Sequence, residues 1–515
     1  MRKTFATNSW LLQQPLLRVA IALAAGIAVC RQWGTDVSVL GWLLALAVCV
    51  LLAIALRAYA RLQGLVLLVG CMMLGACLMA LEHSQLKLAP PYTEQRMEVV
   101  LTSRPVEKGK VVRCDALVAT GKLTGKKVRL TILKEKTANP SLRSMAESLA
   151  VGDGVELWTE LEPCWPATDG YGRYLADHGY VATAFVVDGN WRKSVVSLSA
   201  LSLATRTRLS ALRLRQWLVE QLSEHLTGKD GKAVVAAMAL GERSYVEKSL
   251  RDDYAVSGAS HVLALSGLHL GLLYAFLSLL LAGRRRFLSE VVLLSAVWAY
   301  VVMVGMSASV MRAALMLTLY GLLRLGGRTS ASLNALALAA AVLLVVDPLL
   351  LFDIGFELSF ASVAAIVLFY NPLYGLLPSC LRSLPVIRWM VAMMVVSLCA
   401  QLATTPLVAY WFGRVSCYGL LTNMVVVPLA YVILVLSLIM AATLWLPMVC
   451  SGVGQVLSAV VSVQNKVVGV IGSWPGAYVE TRPLSALELL LLYVVLGCLG
   501  GMLYIVVRRF KQYEA

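Results

Sequence analysis

The chain has 515 residues, of which 59% are hydrophobic and 14% charged, and it carries a net charge of +16. A soluble protein of this length could not hide so much apolar surface, so the composition excludes a soluble globular enzyme and requires extensive contact with lipid or with other spans. The positive excess fits two sources: the cytoplasmic arginine and lysine bias of a multi-pass inner-membrane protein, or a polyanionic partner such as nucleic acid.

Arg2, Lys3 and Arg18 precede an apolar stretch from Val19 to Cys30. This resembles a signal anchor, and with no small-residue cleavage site after it the segment is expected to be retained. Apolar spans then read as 19–30, 39–56 and 64–81, giving an N-terminal membrane block over residues 1–82.

The texture changes over residues 83–198. "RMEVVLTSRP", "KVVRCDALVAT", "KKVRLTILKE", "GDGVELWTELEP" and "HGYVATAFVVDG" each read as one strand bounded by Gly, Pro or charge. Five short strands suit a small β-barrel, of which the OB-fold is the commonest five-stranded form. Cys114 and Cys164 are the two cysteines in this segment. In an oxidising compartment they are expected either to pair as a disulfide or to remain two thiols.

Residues 199–260 read as an amphipathic helical linker built on "LATRTRLSALRLRQWLVEQLSEHL", with Arg206, Arg208, Arg213 and Arg215 near its start. Such a helix suits a membrane surface or the flank of the spans. Residues 261–515 return to membrane character, with spans at 262–282, 288–306, 309–325, 331–346, 356–370, 389–410, 417–446, 450–472 and 485–507. Pro428 is expected to kink or break the long 417–446 segment. The fold class is therefore a polytopic α-helical membrane protein of about twelve spans with an inserted extracytoplasmic all-β domain.

With a cytoplasmic N-terminus, the inside loops hold Arg57, Arg61, Arg284, Arg285, Arg286, Arg324, Arg328, Arg382 and Arg388. The opposite short loops hold Asp347, Asp353 and Glu480, with Arg414 and Arg482 as exceptions, so the positive-inside rule places both termini in the cytoplasm and the β-domain outside.

Several spans carry polar groups. "SHVLALSGLHLGLL" holds His261, Ser266 and His269, and its Gly267 and Gly271 form a GxxxG suited to close helix packing. On one helix the two histidines would sit about 80° apart, which excludes an i, i+4 metal pair and leaves interhelical hydrogen bonds or a cavity lining. Arg312 lies inside "SASVMRAALM", while Asp347, Asp353 and Glu357 gather at one membrane edge, to pair or to cap helices. Gln401, Thr404 and Thr405 follow. Ionisable groups on several separate spans argue for a polar cavity.

"ASHVLALSGLHLGLL", "SASVMRAALML", "DPLLLFDIGFELSFAS" and "AQLATTPLVAYWFGRVSCYGLLTNMVVVPL" resemble, in order and spacing across roughly residues 230–435, the successive signatures of the ComEC competence family. "CWPATDGYGRYLADHGY" is similar to a family stretch in the OB-like domain, with its Asn-Pro-Gly start altered. The resemblance implies an inner-membrane channel that passes single-stranded DNA into the cytoplasm during natural competence. The candidate path is His261, Ser266, His269, Arg312 and Gln401, since a pore for a polyanion needs donors rather than rings of carboxylate. In the β-domain, Lys108, Lys110, Lys126, Lys127 and Arg129 could hold DNA, with Trp158 or Tyr180 for base stacking; equally, those charges could simply solubilise a surface.

Many family members end in a metallo-β-lactamase-like domain. Here none of His83, His178, His225, His261 and His269 forms an HxHxDH cluster and there is no Walker A signature. The expectation is therefore no nuclease or ATPase, no cofactor and no bound metal. The partners expected are single-stranded DNA, membrane lipid, an extracytoplasmic DNA receptor, a separate nuclease, a cytoplasmic DNA-processing or motor protein, and further copies of the chain. Two other classes stay open: an intramembrane hydrolase using Ser266 with His269, and a small-solute transporter.

Overall fold

The computed structural model describes residues 14–33, 37–86, 95–121, 123–134, 149–165, 170–187, 189–281, 286–325, 333–378, 383–482 and 484–513. Arg284, Arg285, Arg328 and Arg382 of the loop-charge pattern, and residues 166–169 of the altered motif, lie outside them. The chain divides into two compact units: residues 1–217 with 302–306 and 340–353, and residues 218–301 with 307–339 and 354–515.

The first unit begins with three helices, α1 (Pro15–Trp33), α2 (Val39–Ala55) and α3 (Ala60–Leu86). α2 buries only Ala53 and turns Leu40, Leu43, Leu44, Leu51 and Ile54 outward, as a lipid-facing helix does. The packing of α1 on α3 is close, and glycines permit it: a Cβ on Gly75 would meet the backbone of Leu23.

The β-domain follows, with strands β1 (Gln95–Leu101), β2 (Val106–Lys108), β3 (Val111–Val118), β4 (Lys127–Leu133), β5 (Gly154–Thr159), β6 (Leu161–Pro163), β7 (Tyr180–Val186) and β8 (Trp191–Ser194), and helix α4 (Gly170–Asp177) before β7. The sheet order is β6-β7-β4-β3-β1-β5-β8, with β2 on β3. All pairings are antiparallel except β4 with β7. Each of the five stretches read as one strand carries a strand, and the fourth carries two, β5 and β6. β3 and β4 alternate strictly between buried and half-buried positions, so one face of each feeds a core that includes Val99, Val112, Leu130, Ile132 and Leu157.

Of the two outcomes left open for Cys114 and Cys164, the disulfide is not the one formed. Cys114 is a free thiol in that core, whereas Cys164 packs with Leu175, Ala176 and Tyr180 in a separate cluster. Being the two cysteines of one domain did not bring them together.

Helix α5 (Leu203–Glu224) matches the basic amphipathic stretch and buries Leu209, Leu212, Val219 and Leu222. Its arginines do not simply coat a surface. Arg206 donates to Leu201 O (2.9 Å), Arg213 to Gly152 O (2.7 Å), Arg215 to Val304 O (3.2 Å) and Arg208 to Gly305 O (3.5 Å). Each guanidinium satisfies a backbone acceptor that a chain end or turn leaves open.

In the second unit part of the expected linker is packed core. α6 (Lys229–Leu240) buries every residue from Ala233 to Leu240, and α7 (Lys248–Val256) follows it. The expected 262–282 span is broken into α8 (Ser260–Leu263) and α9 (Gly267–Leu280). Then come α10 (Arg286–Met303), α11 (Ala308–Leu325), α12 (Leu333–Val346), a 3-10 turn (Pro348–Phe352), α13 (Ile354–Gly375), α14 (Pro385–Phe412), β9 (Arg414–Ser416), α15 (Gly419–Ala442), α16 (Pro447–Gly472), β10 (Tyr478–Glu480) and α17 (Ala486–Tyr513). α15 runs through Pro428 as one helix, so the proline does not break it. α1, α3, α13, α14, α15 and α16 are long and apolar enough to cross a membrane. The protein is a predominantly helical, multi-pass membrane protein with a small sheet region.

Candidate functional site

The break between α8 and α9 is built from three local features. Ala264 is extended (φ −87°, ψ 129°), which ends α8. Ser266, also extended, is the N-cap of α9 and forms a reciprocal capping box with His269: Ser266 Oγ lies 2.9 Å from His269 Nδ1, and the Ser266 backbone N–H donates to the same nitrogen at 3.2 Å. Upstream, Gly258 takes a left-handed conformation (φ +84°) where a Cβ would lie 2.7 Å from Gly419 Cα and 2.9 Å from Ser416 Oγ. The α7–α8 turn is thereby seated against the start of α15, with Gln401 of α14 beside it: a Cβ on Gly419 would come within 3.0 Å of Gln401 Nε2.

His269 is 1% exposed. Because Nδ1 accepts a backbone N–H, the neutral ring carries its proton on Nε2, which has no hydrogen-bond partner among the described residues. A buried donor is thus held at the amino end of a helix, where the macrodipole and free N–H groups favour negative charge. His261 lies on the exposed face of α8. The two histidines do not share a helix, so the 80° reading does not apply.

Gly267 packs α9 on α11, with a Cβ there reaching Ala313 Cβ at 3.3 Å, whereas Gly271 has no neighbour within 4 Å. Half of the GxxxG is therefore a helix contact. Next to Ala313, Arg312 is 1% exposed. It donates to Gly355 O at the start of α13 (2.6 Å) and lies over Phe356 and Phe360 at 5.5 and 5.9 Å. Glu357 accepts from Trp411 Nε1 at 2.8 Å. Asp347 caps the 3-10 turn through Leu349 N–H at 3.0 Å, and Asp353 closes it, 3.9 Å from His178 Nε2. These carboxylates serve helix ends and neighbouring side chains.

The sequence reading missed other buried polar groups in this unit. Glu290, 2% exposed, accepts from Tyr274 OH at 2.6 Å, and Gln464, fully buried, donates to Tyr254 OH at 2.9 Å. Their signal was available as single polar residues in apolar runs.

The structure separates the basic residues proposed for the β-domain. Lys108 and Lys110 stand exposed beside Val111, which pairs with Leu133, while Lys127 pairs with Leu117 at the far end of the same hairpin, about 20 Å away. Arg129 is engaged by Asp115 (2.6 Å) and Tyr180 OH (2.7 Å). Trp158 has partners that the sequence did not suggest: Arg96 and Arg192 flank its ring at 5.8 and 5.7 Å, both bridged by the buried Glu156. Both guanidinium groups lie within cation–π reach of the ring. Among the described residues no three His, Cys, Asp or Glu gather as metal ligands.

An apolar multi-helix bundle that interrupts one helix at a buried Ser–His cap, beside a wholly buried arginine, defines a membrane protein with a polar interior. A sequence model of the competence protein family matches residues 238–505, more than half of the chain and including the α8–α9 break and Arg312. The chain belongs to that competence (ComEC/Rec2) family. It is similar to ComE operon protein 3 of Bacillus subtilis (32% identical over 241 residues, 46% of this chain and 30% of that protein). It is also similar to Recombination protein 2 of Haemophilus influenzae (27% over 258 residues, 47% and 32%) and to the uncharacterized protein YcaI of Escherichia coli (28% over 248 residues, 44% and 31%). The chain thus spans about a third of the length of these relatives. No solved structure matches it.

Proposed function

We propose that this protein conducts single-stranded DNA across the inner membrane during natural competence. The observation that carries the proposal is the interrupted helix: the α9 amino terminus and the buried His269 Nε2–H offer donors inside an apolar bundle, which suits a passing phosphate and would be costly without a ligand. Arg312, His261 and Gln401 extend the same donor character. Family membership and a relative named for recombination point to DNA.

The remaining architecture follows this reading. The six shorter apolar helices of 10–17 residues are taken as spans as well, which with the six long ones makes twelve. Both termini are then cytoplasmic. The two exceptions to the charge rule are neutralised locally, Arg414 by Glu480 (3.3 Å) and Arg482 by Glu488. The β-domain lies outside and is OB-like, because β1-β3-β4 form a meander, β7 runs parallel to β4, and β5–β6 bridges β1 to β7. Its Arg96–Trp158–Arg192 platform holds an unpaired strand.

The Ser266–His269 contact also favours a second reading, an intramembrane hydrolase. A catalytic pair needs a third group to orient the base, and Nε2 has none among the described residues. Deletion of the gene in a transformable host, complemented with wild type or with His269→Gln, tests the proposal by following labelled DNA. Wild type should restore entry into the cytoplasm, and His269→Gln should capture DNA without internalising it. Normal entry in the deletion strain would overturn the proposal; entry restored fully by His269→Gln would remove the cap from the path.

A further inference from the structure

A cavity of about 250 Å³ lies where the last turn of α3 meets the β-domain and the start of α5. Its walls include Gln85 and Leu86 of α3, Lys126 and Lys127 at the start of β4, and Thr205 and Arg208 of α5. Three cations thus face one carboxylate, Glu82. Lys126 Nζ is held by Gln85 Oε1 at 3.1 Å, and Lys127 Nζ stands over the Tyr180 ring at 3.9 Å. These contacts fix the ammonium groups without neutralising them.

α3 has 27 residues and is about 40 Å long, against about 30 Å of hydrocarbon in a bilayer. Its last turn therefore falls at headgroup level, and the cavity with it. Along the same helix Leu67, Leu74 and Leu81 repeat every seven residues and are exposed at 52%, 36% and 42%. This stripe runs one turn further to Gln85, so an apolar track leads out of a cationic pocket.

We propose that this pocket binds the phosphodiester headgroup of an anionic phospholipid, with one acyl chain laid along Leu81, Leu74 and Leu67. The phosphate is held by Lys127 and Arg208, the Thr205 hydroxyl adds a donor, and the volume suits one headgroup rather than a polymer. The site is independent of the DNA path. Burial lowers the Lys127 ammonium from its usual value to about 8, with Asp115 opposing that shift and Arg208 and Arg129 adding to it. An anion in the pocket restores the charge, so retention of the lipid weakens as pH rises through about 8.

The test is native mass spectrometry of the full-length protein released in neutral detergent and mixed with phosphatidylglycerol, phosphatidylcholine, inorganic phosphate or a short oligodeoxynucleotide. Wild type should retain one phosphatidylglycerol in preference to phosphatidylcholine. Arg208→Gln, and the Lys127→Gln/Arg208→Gln pair, should retain it about tenfold less. Lys127→Arg should retain it, and Lys108→Gln, at the far end of the β3–β4 hairpin, should match wild type. Equal retention by wild type and Arg208→Gln overturns the proposal. So does binding of inorganic phosphate as tight as that of the lipid, which would make this a free-phosphate site. Displacement of the lipid by the oligodeoxynucleotide would assign the pocket to DNA and overturn it equally. The single variant Arg208→Gln, on the exposed side of α5, keeps the test decisive if the Lys127 variant does not fold.

Discussion

Gly258→Ala should unseat the turn that breaks the 260–280 segment. Gly258 has φ +84°, where an L-residue costs about 1–2 kcal/mol. The new methyl would sit 2.7 Å from Gly419 Cα and 2.9 Å from Ser416 Oγ. Carbon atoms in good contact stand about 3.5–4.0 Å apart, so the overlap with Gly419 is about 1 Å. Ser416 can rotate away, but the Gly419 backbone opens a 24-residue helix and cannot, which adds about 1–3 kcal/mol. The total is about 2–5 kcal/mol, a large share of the stability of an ordinary domain. Gly271→Ala is the control: a Cβ there meets nothing within 4 Å, and in a helix interior alanine gains about 0.5–1 kcal/mol. Thermal melting of the detergent-purified proteins and their membrane abundance measure both. Gly258→Ala should melt well below wild type and accumulate poorly, Gly271→Ala should match or exceed wild type, and adding Ser416→Gly to Gly258→Ala should rescue only in part. A Gly258→Ala protein that melts with wild type would refute the argument that this crossing seats the turn.

Arg312→Gln removes the donor to Gly355 O and the cation over two phenylalanine rings, costing about 1–3 kcal/mol. DNA capture outside should persist while entry is lost, and Arg312→Lys should restore entry only partly because an ammonium lacks the planar fork; full entry with Arg312→Gln would take Arg312 out of the path. Ser266→Ala loses an N-cap worth about 1 kcal/mol and frees the His269 ring to turn, so uptake should fall at unchanged abundance, and unchanged uptake would make the cap purely structural. Burial raises the Cys114 thiol to about 12. Its folded value therefore exceeds its unfolded one: below about pH 9 stability is unaffected, and above it stability falls as the unfolded chain ionises. At pH 8 a maleimide should label the exposed Cys417 quickly and Cys114 only after unfolding, and prompt labelling of native Cys114 would contradict its placement in the core.

The strands were legible because alternation is a local property: "KKVRLTILKE" shows its buried face without reference to any partner. β2 and β8 were missed because three or four half-exposed residues carry too little periodicity. The Trp158 platform was half legible. Tryptophan stood out, but Arg96 lies opposite it through strand register, and Arg192 reaches it from β8, neither of which has a sequence signature. The helix break was hidden for the opposite reason. Hydropathy is continuous through Ala264, Leu265 and Ser266, and the interruption depends on a glycine crossing with Gly419, far along the chain. The one local trace was serine followed three residues later by histidine, the spacing of a capping box with an unusual second member. Residues 229–240 were misjudged as linker because the short apolar run "AVVAAMAL" carries no amphipathic stripe; it is buried all round.

α9 has 14 residues and rises about 21 Å, while α12, also 14 residues, is no longer. On the proposed reading that both are spans, a bilayer about 30 Å thick would meet them by thinning around them or by admitting water at their ends, at fractions of a kcal/mol per Å of mismatch. A thinned annulus would shorten the stretch of hydrocarbon across which the DNA of the proposed path is shielded. It also makes the protein sensitive to acyl-chain length: membranes of shorter chains would relieve the mismatch and stabilise the broken segment, and thicker ones would strain it. The lipid around this protein is in that sense a mechanical part of it.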